Sequence, residues 1–312
     1  MKKKNVLIGC GEWGARHAKV LFELNELYGV YDIDTNKSEI LSKKFNVYQF
    51  KSINEIIKYR KEILSLFICS SAETHYKIIN QTYKYFDNFF VEKPLVHKAQ
   101  DLEKIKKLLN GKKIFVGHLM HFHPAVKKIE EILMSKKLGQ IKSINLKRHN
   151  LGRYRSHENV IQSFAPHDFS IIFRLFGFHY KKLNYQSFSI YKKNHIDKAQ
   201  IFFSTKSNIK VSLSVSWTSL IKEQKITIFG SKGILVFSDT EKEFNKKIKI
   251  TKIIKKNNIL KKTGELFLKL KSNMPLTEQA KNVIACFKGK KLTLPNNLNE
   301  SKFILGIINK IK

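Results

Sequence analysis

Three glycines at 9, 11 and 14 in LIGCGEWGARH, a lysine in VEKP (Lys93) and a histidine in SFAPHDFS (His167) have the types and spacing that could do chemistry. Gly-x-Gly-x-x-Gly between an apolar run and a helical stretch lets a backbone approach a pyrophosphate. The unpaired N–H groups at the helix start, around Glu12 and Trp13, then face its negative charge. Asp32 closes the next strand-like run, where its carboxylate would accept hydrogen bonds from adenosine ribose hydroxyls and repel a 2′-phosphate. The expected cofactor is therefore NAD, with NADP second because Lys37 lies nearby. The competing interpretation is a tight structural turn with Asp32 and Asp34 acting as helix caps.

A nicotinamide enzyme that oxidises an alcohol needs a group to take the hydroxyl proton. Lys93 ends a strand-like run, where ligands of open α/β sheets lie, and a partly buried ammonium there could serve as the base. His167 follows Pro166 and is expected at the start of a helix running to Gly177, where the positive helix end favours the neutral ring. A structural His preceding a helix, and a solvated loop lysine, are the plain alternatives. Arg148, Arg153 and Arg155 are half of the chain's six arginines, and a planar fork suits a substrate phosphate or diphosphate, though surface ion pairs would also use it. His118, His121 and His123 have no Cys, Asp or Glu close by in sequence to complete a ligand set, so no metal is expected.

These residues need elements to hold them. Over roughly the first 120 residues, short apolar runs alternate with helical patterns, the form of a doubly wound parallel sheet of Rossmann type. Beyond about residue 121 strands dominate, with Val211, Leu213, Val215 and Trp217 alternating against Lys210, Ser212, Ser214 and Ser216. The expected fold is α/β: a dinucleotide-binding domain at 1–120 and, at 121–312, an α+β substrate domain with a mostly antiparallel open sheet. Its small polar face could be solvated or pack on another subunit.

The net charge of +34 raises nucleic acid as a partner, but only six of the 59 basic residues are arginine and the lysines are spread along the whole chain. No specific nucleic-acid binding is expected. No run of 18 apolar residues is present, so neither is membrane insertion, and a cytoplasmic protein is expected. The three cysteines, Cys10, Cys69 and Cys286, are far apart and expected to be reduced and structural.

Taken together, GCGEWGARHA, YDID, CSSAETH, VEKPL, GHLMHFHPAV and SFAPHD resemble the glucose-fructose oxidoreductase, inositol dehydrogenase and MocA family over nearly the whole chain. The resemblance implies that Lys93 and His167 contact substrate and handle the proton. It also implies that Ser70, Ser71, His75, Glu92 and Lys93 line the cofactor beside Gly9, Gly11, Glu12, Trp13, Gly14 and Asp32. Many members carry an aspartate four residues before the histidine. Ser163 stands there in this chain, which shifts the proton to Lys93, and His121 replaces the arginine of the junction motif. The stretch NLGRYRSHENVIQSFAPHD looks like the subgroup acting on nucleotide-linked amino sugars at C3, in surface-polysaccharide pathways. That implies substrate contacts from Arg153, Arg155, Ser163 and His167, and a homo-oligomer. The rival expectations are a dehydrogenase of a free sugar or cyclitol, and a non-catalytic dinucleotide-binding sensor.

Overall fold

A computed structural model describes residues 3–152, 158–177, 179–257, 259–292 and 297–311. The chain divides into two compact units, Met1–Phe122 with Met274–Gly306, and His123–Asn273 with Ile307–Lys312.

In the first unit, β1 (Lys4–Ile8), β2 (Leu27–Tyr31), β3 (Tyr48–Gln49), β4 (Ile63–Ile68), β5 (Asn88–Val91) and β6 (Lys113–Val116) form a parallel sheet in the order 3-2-1-4-5-6. Between them run α1 (Glu12–Glu23), α2 (Thr35–Phe45), α3 (Ile53–Lys58), α4 (Ala72–Thr82) and α5 (Ala99–Leu108). The central strands are apolar on both faces because helices cover both: in β4, Leu66, Phe67 and Ile68 are fully buried. Each helix buries one stripe; α1 does so with Gly14, His17, Ala18, Val20 and Leu21. The strand order reverses direction between β1 and β4, and ligands of such sheets lie beyond the carboxyl ends of strands at that point.

The second unit opens with α6 (Pro124–Met134), then β7 (Ile141–Leu151) and α7 (Val160–Phe176). The strands β8 (Tyr180–Phe188), β9 (Lys198–Thr205), β10 (Lys210–Ser216), β11 (Thr218–Gly230), β12 (Gly233–Ser238), β13 (Ile248–Lys256) and β14 (Ile259–Leu268) follow. With β7 they make a sheet in the order 14-13-12-11-7-10-9-8, antiparallel throughout the described residues except for the β7–β10 pair. Val211, Leu213 and Val215 of β10 are buried while Ser212 and Ser214 are half-exposed, as the period-two pattern requires.

The chain then returns to the first unit, whereas a division after residue 120 leaves everything later in the second. Helix α8 (Pro275–Phe287) packs Ala280, Val283, Ile284 and Phe287 against Ala18, Leu21 and Val30, and α9 (Asn297–Ile308) adds Leu305 to the core on the other side of the sheet. No helix among the described residues is long and apolar enough to cross a membrane.

Helix α7 also departs from expectation. It begins at Val160, not near His167, because Asn159 accepts from the N–H groups of Ile161 and Gln162 while Gln162 returns a bond to the Asn159 N–H. This reciprocal cap starts the helix two turns early and leaves Pro166 inside it. His167 is therefore interior, two turns from the positive helix end.

Candidate functional site

The turn after β1 is built by contact. Gly9 has φ +96°, and a Cβ there would lie 2.4 Å from the Ser70 nitrogen; one at Gly14 would lie 1.8 Å from the Gly9 carbonyl oxygen. Glycine is thus required at 9 and 14 by the protein itself. Gly11 differs: its backbone is extended, and a Cβ would meet nothing within 4 Å. The space in front of Gly11 is open, and α1 begins there with no side-chain cap, so the first N–H groups, at Glu12 and Trp13, face it unsupported. A pyrophosphate fits such a cradle by charge and by shape. Trp13 is held by Arg16, whose guanidinium stands 4.9 Å from the ring centroid and also pairs with Glu12 at 2.8 Å.

Asp32 is fixed by two backbone donors, the N–H of Cys10 at 2.5 Å and of Asp34 at 2.9 Å. It therefore does not cap the following helix, a task left to Asp34. Lys37 is occupied by Asp34 at 3.1 Å. Asp32 lines a cavity of about 340 Å³ together with Gly9, Asn54, Ser70, Thr74 and Gln81. This concave, partly apolar space next to a carboxylate suits an adenosine and its ribose diol. Burial and the Asp32 charge push the Cys10 thiol up to about 12, and burial pushes Cys69 well up too, so neither cysteine supplies a thiolate. All three cysteines are free.

Ser70 and Ser71 follow β4, and Ser71 precedes α4 without capping it. His75 is buried, with Nδ1 3.0 Å from the Leu95 carbonyl and Nε2 3.0 Å from that of Ser70. Burial holds its pKa below the usual histidine value, and a neutral ring donates to one carbonyl only. Its ring braces the Ser70 turn against the chain after Lys93.

Glu92 and Lys93 follow β5, two strand spacings, about 10 Å, from the end of β1. The Glu92 N–H donates to Ile68 at 2.8 Å, and its carboxylate receives His17 Nε2 at 2.8 Å and the Lys93 N–H at 3.0 Å. Burial pushes this carboxyl up, but the His17 hydrogen bond and charge, with the Lys93 amide and ammonium, outweigh it and hold the group below its usual range. The Lys93–Pro94 peptide is cis and Lys93 is half-buried.

Two of the histidines after β6 face one buried carboxylate. Nε2 of His121 lies 2.7 and 2.8 Å from the two oxygens of Glu300, which is fully buried on α9, and His118 Nδ1 is 3.8 Å from the same carboxylate. Among the described residues no metal-binding group occurs. Removing Glu300 takes a hydrogen-bond partner from a buried imidazole, so Glu300→Ala is expected to lower stability by about 2 kcal/mol, seen as a lower urea midpoint. An unchanged midpoint would assign the pair no stabilising role.

In the second unit, Arg148 is spent on Asp168, with Nε and Nη2 at 2.7 and 3.0 Å from its two oxygens. This bidentate pair joins β7 to α7, so Arg148 is no open anion site. Ser163 is buried and His167 half-buried, four residues apart on one face of α7. Arg153 and Arg155 lie outside the described residues. The structure thus gathers Gly9, Gly11, Glu12, Trp13, Gly14, Asp32, Ser70, Glu92 and Lys93 along one edge of the parallel sheet. It adds His17 and Gly117, which sequence reasoning missed; the only signal was a histidine on the apolar stripe of α1.

Residues 3–118 match the GFO_IDH_MocA family, described as an oxidoreductase family with an NAD-binding Rossmann fold. A myo-inositol 2-dehydrogenase of Thermotoga maritima is 23% identical over 255 residues, covering 76% of this chain and 75% of that protein. Among solved structures, UDP-N-acetylglucosamine 3-dehydrogenase GnnA from Acidithiobacillus ferrooxidans superposes with TM-score 0.84 at 14% identity, covering 99% of this chain and 96% of its own. GenD2 from gentamicin A biosynthesis, in complex with NAD, gives 0.79 at 15% identity over 99% and 93%.

Proposed function

Since residues 3–118 are an NAD-binding Rossmann domain of the Gfo/Idh/MocA oxidoreductase family, we propose that the chain oxidises a secondary hydroxyl of a sugar, and that the sugar is a nucleotide-linked amino sugar oxidised at C3. The observation that carries the reading is the open Gly11 cradle sharing one sheet edge with Lys93. Gly9, Gly11, Gly14 and the first N–H groups of α1 hold the cofactor's pyrophosphate, and Asp32 its ribose diol. The bound NAD supplies the hydride acceptor. The Lys93 amine takes the hydroxyl proton as the carbon–hydrogen bond breaks, so the alcohol loses two electrons and becomes a ketone.

In the second unit, His167 and Ser163 on α7 are the proposed contacts to sugar hydroxyls, and Arg153 and Arg155 the proposed diphosphate contacts. The arginines in a lysine-dominated chain support a substrate diphosphate. The likeness to GnnA agrees with it, and a 3-keto product would feed an aminotransferase in surface-polysaccharide synthesis.

The test is absorbance of reduced nicotinamide from purified protein and NAD, challenged separately with UDP-N-acetylglucosamine, free N-acetylglucosamine and myo-inositol. Growth with the UDP-sugar alone is the expected result. Growth with myo-inositol alone would favour the cyclitol activity named for the Thermotoga relative. A flat trace with all three, from protein that binds NADH, would overturn the amino-sugar assignment and favour a sensor.

A further inference from the structure

His17 and Glu92 lie deep in the first unit and take no direct part in the chemistry above. His17 sits three residues past Gly14 on the stripe of α1 that buries Ala18 and Leu21, where an apolar side chain would pack without penalty. It is 1% exposed, its ring centroid 5.0 Å from that of Phe90. Its Nε2 reaches one oxygen of Glu92, and the other oxygen takes the backbone N–H of Lys93. Gly117 closes the third side, where a Cβ would lie 2.7 Å from Glu92 Oε1 and 2.8 Å from its Cδ. The carboxylate is thus clamped between the helix that starts at the phosphate turn, the peptide that carries the lysine, and a wall with no side chain.

We propose that His17 is a positioning residue for Lys93: by holding the Glu92 carboxylate it fixes the turn that carries the lysine, and the negative charge beside it, to the helix of the phosphate cradle. The proposal rests on Lys93 being the proton acceptor. A buried polar contact of this kind is a poor device for stability, since desolvating both groups offsets most of their attraction. What the pair joins is the turn at Lys93 and the helix that starts at the phosphate cradle. Among the titratable groups that feel the Glu92 charge are Cys69 after β4, His75 on α4 and His118 after β6. Burial pushes the Cys69 thiol up and the two imidazoles down, keeping all three neutral. The contacts to the Glu92 carboxylate are then those of His17 and of the Lys93 turn.

The experiment is competitive acetylation of the full-length protein with acetic anhydride, with labelling at Lys93 read by mass spectrometry against Lys98 as internal reference. Only the unprotonated amine reacts. In His17→Phe the buried carboxylate loses its partner and takes up a proton, so the lysine loses a counter-charge and gives up its own proton more readily. Labelling of Lys93 near neutral pH should rise roughly threefold to tenfold, equivalent to about half to one pH unit, with Lys98 unchanged. His17→Gln, whose amide still donates to Glu92, should stay at the wild-type rate. Gly117→Ala, which displaces the carboxylate from the opposite side, should reproduce the rise and decides the matter if His17→Phe does not fold. Wild-type labelling in His17→Phe or, if that variant fails to fold, in Gly117→Ala would overturn the positioning role while leaving Lys93 as acceptor. Wild-type turnover in Lys93→Ala would instead remove the acceptor and this role with it.

Discussion

Lys93→Ala is expected to lower kcat by a factor of about 10² to 10⁴, the range in which a positioned general base acts, while NADH affinity read by nicotinamide fluorescence stays at the wild-type value. The separation follows from where the contacts lie. The pyrophosphate and adenosine contacts are assigned to Gly9, Gly11, Asp32 and the start of α1, all on β1, β2 and the segments that follow them. Lys93 hangs from β5, beyond β4 in the sheet order. Deleting its side chain leaves Glu92 on His17 and on the residue-93 N–H, which alanine keeps, so the turn should hold its shape. The side-chain amine is what is lost, and with it the proposed proton acceptor. Turnover at the wild-type rate would move the acceptor elsewhere, with His167 the next residue to replace.

Much of the first unit was legible because its signals are local. A glycine turn, an apolar strand before it and an amphipathic helix after it occupy one continuous stretch, residues 4–23, and the parallel strands are short apolar runs wherever helices cover both faces. The elements that escaped notice depend on contacts distant in sequence. Arg148 and Asp168 are 20 residues apart, and nothing in KRHN says that its arginine will meet the α7 carboxylate and not an anion. The stripe of α8 states that one face is buried, not that it is buried against α1, which lies more than 250 residues earlier. His121 looked like a member of a histidine cluster because its partner, Glu300, is 179 positions away. The start of α7 is a different case. Asn159 and Gln162 carry the reciprocal-cap spacing in plain view, but Pro166 suggested a helix start and drew the boundary too late.

Replacing the glycines of the phosphate turn should separate folding from binding. Gly14→Ala would put a Cβ 1.8 Å from the Gly9 carbonyl oxygen and 2.9 Å from its carbon, both backbone atoms that cannot turn aside, so α1 or the turn must move. Such overpacking costs about 1–3 kcal/mol or more, and Gly14→Ala should show a lower melting temperature as well as weak NADH binding. Gly11→Thr should behave otherwise. Residue 11 is the helix N-cap with φ −67° and ψ −170°, a conformation threonine adopts, and a Cβ there meets no protein atom within 4 Å. Threonine and glycine are comparable as N-caps, so stability should change by only a few tenths of a kcal/mol.

The branched side chain would nonetheless fill the cradle, and its hydroxyl would accept from the N–H groups of α1 that the pyrophosphate needs. NADH affinity should fall on the order of 100-fold, about 2.7 kcal/mol, in a protein that melts with the wild type. Fluorescence titration beside a thermal melt reads both quantities from one preparation. If Gly11→Thr binds NADH as tightly as the wild type, the open space before α1 is not where the pyrophosphate lies, and the glycine at 11 would need another reason.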